Sequence, residues 1–328
     1  MTVALVTGIM GQDGSYLAER LVAEGVEIHG LVRPGDAALP NLKENCPGLV
    51  VHEGDLRDGA RLEALVLDLA PDEVYNLAGL SSVAQSWEMP VLAAEVTGLA
   101  VARLLQASWS AQERTGRAVR FLQASSAEIF GNSDRVPQDE NTPLCPTSPY
   151  GAAKAYAHHL VGVYRARGLH ASSTILFNHE SPRRPDSFVT RKITAGVAAI
   201  AAGTATELVL GNLDVQRDWG WAPDYVDAMV RAVRHDRADD FVVATGKARS
   251  VRDFVTVAFS HVGIDDWAPF VRTDPALVRP VDAYMQVGDP LKAHRDLGWR
   301  TTVSFDEIVG RMVDHDTRRD VRRGFRNG

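Results

Sequence analysis

The sequence predicts an α/β fold, a doubly wound parallel sheet with a smaller C-terminal portion. Three observations predict it. The chain opens on a short apolar run that passes through closely spaced glycines into a helical pattern. Short apolar runs then alternate with helical stretches to about residue 180, the rhythm of parallel strands joined by crossover helices. From about Ser181 the rhythm turns irregular and rich in Arg, Trp and Pro, which suits a smaller portion woven onto the first.

Val3-Ala4-Leu5-Val6 is the run that a strand buried on both faces requires, and over residues 17–22 apolar residues recur at helical spacing. Gly8, Gly11 and Gly14 lie between them, three apart. That spacing gives a tight turn, lets the backbone approach a pyrophosphate, and packs the helix closely, with the positive end of its dipole at the ligand. A bound dinucleotide is the expectation. The second strand, residues 26–32, ends in Arg33, where an NAD enzyme usually has an acidic residue on the ribose 2′-hydroxyl. A cation there favours the 2′-phosphate of NADP, with NAD as the alternative. Further strands are read at residues 49–52, 73–77, 119–124 and 172–177. Ligands in such sheets bind beyond the carboxyl ends of the strands. Asp55-Leu56, Asn76-Leu77-Ala78-Gly79, Ser125-Ser126-Ala127-Glu128 and Asn178-His179-Glu180 all follow strands, so four loops aim polar groups at one crevice.

With 328 residues, 45% hydrophobic and 23% charged, the chain is an ordinary globular one, long enough for one large α/β domain or one large and one small. No segment approaches the roughly 18 uninterrupted apolar residues of a membrane span, and the N-terminus reads directly into a strand, so no membrane contact and a cytoplasmic location are expected. Cys46 and Cys145 are too few and too separated for a disulfide framework or a metal site. The net charge of −7 argues against nucleic acid as a partner, and Arg318, Arg319, Arg322 and Arg323 read as a solvated helix end.

The proton chemistry is carried by Ser148-Pro149-Tyr150-Gly151-Ala152-Ala153-Lys154. A spacing of four puts Tyr150 and Lys154 on one helix face. A phenol near its reference pKa of about 10 is protonated at neutral pH, so a neighbouring ammonium is expected to favour the phenolate.

Over nearly its whole length the chain resembles the extended short-chain dehydrogenase/reductase family and, within it, the GDP-mannose 4,6-dehydratases. The resemblance rests on the stretches at residues 8–19, 148–154, 176–184 (Leu-Phe-Asn-His-Glu-Ser-Pro-Arg-Arg), 188–193 (Phe-Val-Thr-Arg-Lys-Ile), 211–214 and 217–220. It implies a lyase that converts GDP-mannose to GDP-4-keto-6-deoxymannose by internal hydride transfer through bound NADP, with Ser126, Glu128, Tyr150 and Lys154 as catalytic residues. A GDP-4-keto-6-deoxy-sugar reductase or epimerase, or a dehydratase of a GDP-manno-heptose, is the alternative. Cofactor contacts are expected from Gly8, Gly11, Gln12, Asp13, Gly14, Arg33, Asp55, Leu56, Leu77, Ala78, Tyr150 and Lys154. Substrate contacts are expected from Ser81, Asn178, Val189, Lys192, Gly211, Asn212, Arg217, Arg279 and Asp282, the cations holding the diphosphate.

The implied division is residues 1–180 mainly for the dinucleotide and residues 181–328 mainly for the nucleotide sugar, the two interleaved. Apolar residues at helical spacing over 98–105 and 155–164 match the pair that forms a four-helix dimer contact in this superfamily, so a homodimer is expected. The chain departs from the family pattern in three places. The stretch between Arg33 and Val51 is short and lacks a second arginine, which leaves the tetramer open. Ser82 and Trp221 each replace a histidine, and either substitution would reshape the sugar pocket.

Overall fold

The computed structural model describes residues 1–35, 39–278 and 283–324. In its first half the elements are β1 (Val3–Thr7), α1 (Gln12–Ala23), β2 (Glu27–Val32), α2 (Leu39–Asn45), β3 (Val50–Glu53), α3 (Gly59–Leu69), β4 (Glu73–Asn76), α4 (Val83–Glu88), α5 (Pro90–Ala93), a π-helical turn (Ala94–Leu99), α6 (Ala100–Thr115), β5 (Arg120–Ser126), α7 (Pro149–Arg167) and β6 (His170–Leu176). The rest comprises β7 (Asn178–Glu180), α8 (Val189–Ala201), β8 (Leu208–Leu210), β9 (Gln216–Trp221), α9 (Ala222–Arg234), β10 (Asp240–Val243), β11 (Ala248–Ser250), α10 (Val251–His261), β12 (Val271–Thr273), β13 (Met285–Gln286), α11 (Leu291–Asp296) and α12 (Phe305–Gly324).

Seven parallel strands form the main sheet in the order β10-β6-β5-β4-β1-β2-β3. The order reverses direction between β1 and β4, which opens a crevice at their carboxyl ends. Alternation along each strand feeds two cores. Ala4, Val6, Tyr75 and Leu122 pack with Leu17, Leu21, Met229 and Val233 on one side. Leu5, Val74 and Phe121 pack with Leu62, Val66, Leu104 and Val161 on the other. The expected strands are present with ends shifted by one or two residues, and α1 starts at Gln12, so that Gly14 falls inside its first turn. Strand β10 and helix α9, which no expected element covered, return to the main sheet from beyond residue 180.

The second portion is organised on β9, which pairs with β7 and β13 in parallel and with β11 antiparallel. Its own core joins Ile193 and Val197 of α8, Phe254 and Phe259 of α10, and Ile308 and Met312 of α12. The main sheet runs directly into it, because β6 continues through Phe177 into β7. The continuous helix over Pro90–Thr115 has the length and composition of a membrane span. Half of it is buried, with Val101, Leu104, Leu105 and Ala111 in the core beside α3, so it is a core helix of this fold.

Candidate active site

The floor of the crevice is a chain of buried side chains that runs from the ends of β1 and β4 to the middle of β5. Thr7 Oγ1 donates to Asn76 Oδ1 at 2.6 Å, Asn76 Nδ2 donates to Gln123 Oε1 at 2.7 Å, and the Ala78 N–H donates to Thr7 Oγ1 at 3.2 Å. Above it the glycine turn is compact for steric reasons. Gly8 has φ +70°, and a Cβ there would lie 2.8 Å from the Ala78 nitrogen; one on Gly14 would lie 2.3 Å from the Gly8 carbonyl oxygen. No side chain caps the start of α1 at Gly11, which leaves the N-terminal N–H groups available for a pyrophosphate. These residues fit a dinucleotide.

Beyond the strand ends lies a cavity of about 490 Å³. The expected residues Asp13, Leu77, Ser81, Ser126, Glu128, Tyr150, Lys154, Asn178, Val189, Lys192, Gly211, Asn212 and Arg217 line it. Gly8, Gly11, Gln12, Gly14, Ala78 and Leu56 stand outside its wall, as does Arg33, exposed just past the end of β2. Arg279 and Asp282 lie outside the described residues. Of the two departures, Ser82 lines the cavity and caps α4 by accepting from the Gln85 N–H, whereas Trp221 does not line it, because the residue precedes α9 and its ring stacks under Arg311.

Ser126 ends β5, and its hydroxyl accepts from the Glu128 N–H at 3.2 Å, which fixes the short turn carrying Glu128. Ser148 caps α7 through the Gly151 N–H, and a Cβ at Gly151 would sit 2.6 Å from the Glu128 carbonyl oxygen, so α7 packs on that turn only because the residue after Tyr150 has no side chain. Lys154 follows one helical turn later, its Nζ donating to the Ala124 carbonyl at 2.6 Å and lying 5.7 Å from the centre of the Tyr150 ring.

Burial, not the lysine, sets the titration of this pair. It pushes the Tyr150 phenol up to about 12, against the pull of its hydrogen bond with Ser126, and pushes Lys154 down to about 8. The Lys154 charge, 5.7 Å from the ring centre, does not offset the removal of water, so the phenol stays protonated at neutral pH.

His179 and Arg184 line the cavity too, although the sequence assigns His179 no role beyond its place in a crevice loop and Arg184 none. His179 on β7 contacts Asp13 at 2.9 Å through Nε2 and the Phe177 carbonyl at 2.7 Å through Nδ1. Burial disfavours both charges, yet their mutual attraction wins, raising His179 and lowering Asp13. Gln12 joins them, donating to the His179 carbonyl at 3.1 Å and accepting from Ser181 Oγ at 2.8 Å. Two residues read as cofactor contacts thus bind the first helix to β7. Arg184 lines the cavity, lies 3.4 Å from Glu180 and stacks on Phe188 at 3.8 Å. Both residues stand within the quoted Asn-His-Glu-Ser-Pro-Arg-Arg stretch, but nothing in their spacing gives a ligand direction.

Arg217 donates through Nη1 to the Gln216 and Ala283 carbonyls, both at 2.8 Å. Its neighbour Asp218 faces the other way and accepts from Thr245, Gly246 and Gly288; burial pushes it up to about 6. Asp55 is held at about 2 by its hydrogen bonds from Arg57 and borders a second cavity of about 280 Å³ between β2, β3 and α3.

A doubly wound sheet with a glycine turn after its first strand and a Tyr-x-x-x-Lys helix at the crevice defines an extended short-chain dehydrogenase/reductase. The family profile described as GDP-mannose 4,6 dehydratase matches residues 5–312, and the chain belongs to that enzyme family. GDP-mannose 4,6 dehydratase 1 of Arabidopsis thaliana is 44% identical over 96% of this chain and 89% of its own length. GDP-mannose 4,6 dehydratase of Homo sapiens is 41% identical, over 96% and 91%. Among solved structures, UDP-glucose 4-epimerase of Thermus thermophilus, in complex with NAD, superposes with a TM-score of 0.81 at 29% identity, over 96% of this chain and 99% of that one.

Proposed function

We propose that the chain is a GDP-mannose 4,6-dehydratase that works with a tightly held NADP. The observation that carries this reading is the convergence of Ser126, Glu128, Tyr150 and Lys154 on a single cavity beside the glycine cradle. A nicotinamide dinucleotide, when bound there, would accept the C4 hydride and give it back at C6 after water has left, with a proton returning to C5, so that no reductant is consumed. Tyr150 takes the proton of the sugar 4-hydroxyl, and Ser126 holds that oxygen. Lys154 remains largely protonated at neutral pH and stabilises the phenolate as it forms. Glu128 removes the C5 proton beside the new ketone and returns a proton to the departing 6-hydroxyl, which leaves as water. Lys192 and Arg217 hold the diphosphate, with Asn178 at the sugar and Asn212 at the nucleotide. Gly8, Gly11, Gly14 and Arg33 serve the cofactor, and residues 1–180 and 181–328 divide the two ligands mainly between them.

We assign a homodimer through the outer faces of the π-helical turn and α7, where Leu99, Tyr156 and Val163 are exposed. The two cysteines are free, which suits a reducing cytoplasm.

Incubation of the purified chain with GDP-mannose and no added reductant tests the reaction. Loss of water, with solvent deuterium entering at C5, is expected. Stoichiometric consumption of added NADPH with a 4-keto sugar, and no water loss from GDP-mannose, would establish the reductase instead. A higher kcat/KM for a GDP-manno-heptose would move the substrate assignment within the same chemistry.

A further inference from the structure

Nine buried side-chain polar atoms lack a hydrogen-bond partner among the described residues; of the four on residues lining the large cavity, Arg184 Nε faces the Glu180 carboxylate at 3.4 Å, which leaves Ser125 Oγ, Trp219 Nε1 and Gln286 Oε1. Folded proteins rarely leave such atoms unsatisfied, and a concentration of them around one cavity marks where a ligand supplies the missing partner. Gln286 has the best defined surroundings and no role in the reaction as derived above. It is 1% exposed and stands on β13 directly opposite Arg217 on β9. Its Nε2 reaches towards the Ala127 carbonyl at 3.5 Å, the outer limit of a hydrogen bond. The amide therefore sits between the cation assigned to the diphosphate and the turn that carries Ser126 and Glu128.

We propose that Gln286 is a specificity-determining residue that hydrogen-bonds a ring hydroxyl of the glycosyl group. The inference rests on the nucleotide-sugar reading above. A ligand that spans from Arg217 to Glu128 passes this amide. The last torsion of a glutamine is soft and roughly two-fold, so a small rotation turns Oε1 to the cavity without disturbing the strand. A sugar hydroxyl donates to that oxygen and satisfies it. An apolar side chain of similar size could pack in the same place, so an amide there is explained by what it binds and not by packing.

The test is calorimetric, on the full-length chain loaded with dinucleotide in a Tyr150→Phe background, where turnover is stopped. Affinities for GDP and for GDP-mannose are compared with Gln286 and with Gln286→Leu. The substitution is expected to weaken GDP-mannose by about tenfold, the worth of one hydrogen bond, and to leave GDP unchanged. GDP-sugars deoxygenated at C2 or C3 identify the hydroxyl, because the one that lacks the partner loses nothing further on substitution. Equal affinity for GDP-mannose with either side chain, an equal loss for GDP and GDP-mannose, or no gain of GDP-mannose over GDP in the Gln286 protein would each overturn the proposal. Gln286→Met serves if the leucine variant does not fold. Failure of the dehydratase reading shows separately, as tight GDP-mannose binding by the wild-type chain with no loss of water.

Discussion

The two walls of the crevice are made of different material. On the sheet side the cradle is backbone: a glycine turn, the first N–H groups of α1 and the loops after β1 and β4, fixed by the buried chain from Thr7 through Asn76 to Gln123. On the other side the wall is made of side chains brought from α7, β7, α8, β9 and β13, five segments that share no local pattern. Backbone geometry serves a ligand common to a whole superfamily, whereas discrimination between sugars needs particular side chains. The difference predicts that each wall can be damaged without the other.

The largest effects should come from one substitution in each wall. Tyr150→Phe removes only the phenol oxygen, so kcat should fall by about 10²–10⁴-fold while dinucleotide binding, measured by fluorescence titration, stays near wild type. Gly14→Ala should do the reverse. Its methyl would stand 2.3 Å from the Gly8 carbonyl oxygen and 2.5 Å from the Ile9 Cα, and neither backbone atom can move without opening the turn. Dinucleotide affinity should collapse, with about 1–3 kcal/mol of stability lost to overpacking. Should both variants lose dinucleotide equally, the walls are not separable and the comparison fails.

The same contrast explains what the sequence disclosed. Strand β1 was legible because a strand buried on both faces is a continuous apolar run, β2 to β6 because short runs with apolar residues alternate with helical stretches, and Gly8, Gly11 and Gly14 because only glycine fits where backbone meets backbone. The short strand β13 and its Gln286 were not, since two residues between irregular stretches carry no period. Lys192 and Arg217 entered through family resemblance alone, for a cation in a sequence gives no direction. The titration of Tyr150 and Lys154 was only half legible for a related reason: spacing gave their proximity, but the removal of water that dominates both depends on everything packed around them.

The joint between the walls gives an intermediate effect. Asp13 on α1 and His179 on β7 form a buried pair, and His179 also stacks on Tyr225 at 4.6 Å. His179→Leu leaves the Asp13 carboxylate without its charged partner and should cost about 3–5 kcal/mol in denaturant unfolding. The dependence on pH follows from both shifts. His179 is raised above 6.5, so its contribution is complete below that pH and is lost as pH rises through the folded value. Asp13 is lowered below 3.8, so its contribution is complete above that pH and is lost as pH falls through the folded value. The gap between wild type and variant should therefore be widest between these two values and narrow on either side. A gap constant from acid to alkaline pH would assign the loss to packing against Tyr225 instead.

The smallest effect tests the edge of the backbone wall, where a single side chain is asked to discriminate. Arg33 is exposed immediately after β2, and its charge contributes to holding Asp55 low, which places it on the side of the second cavity where the loop after β3 begins. If the 2′-phosphate of NADP is read by this one cation, Arg33→Ala should reduce the ratio of NADP to NAD affinity by about tenfold, the worth of one charge-assisted contact at an exposed site. Screening sharpens the test: at an ionic strength of about 1 M the Debye length is roughly 3 Å, so salt should weaken NADP binding more than NAD binding in the wild type and equally in the variant. A ratio unchanged by the substitution would mean that the 2′-phosphate is read elsewhere or that NAD is the working cofactor. In either case even the cofactor wall would owe its selectivity to side chains and not to the turn that defines it.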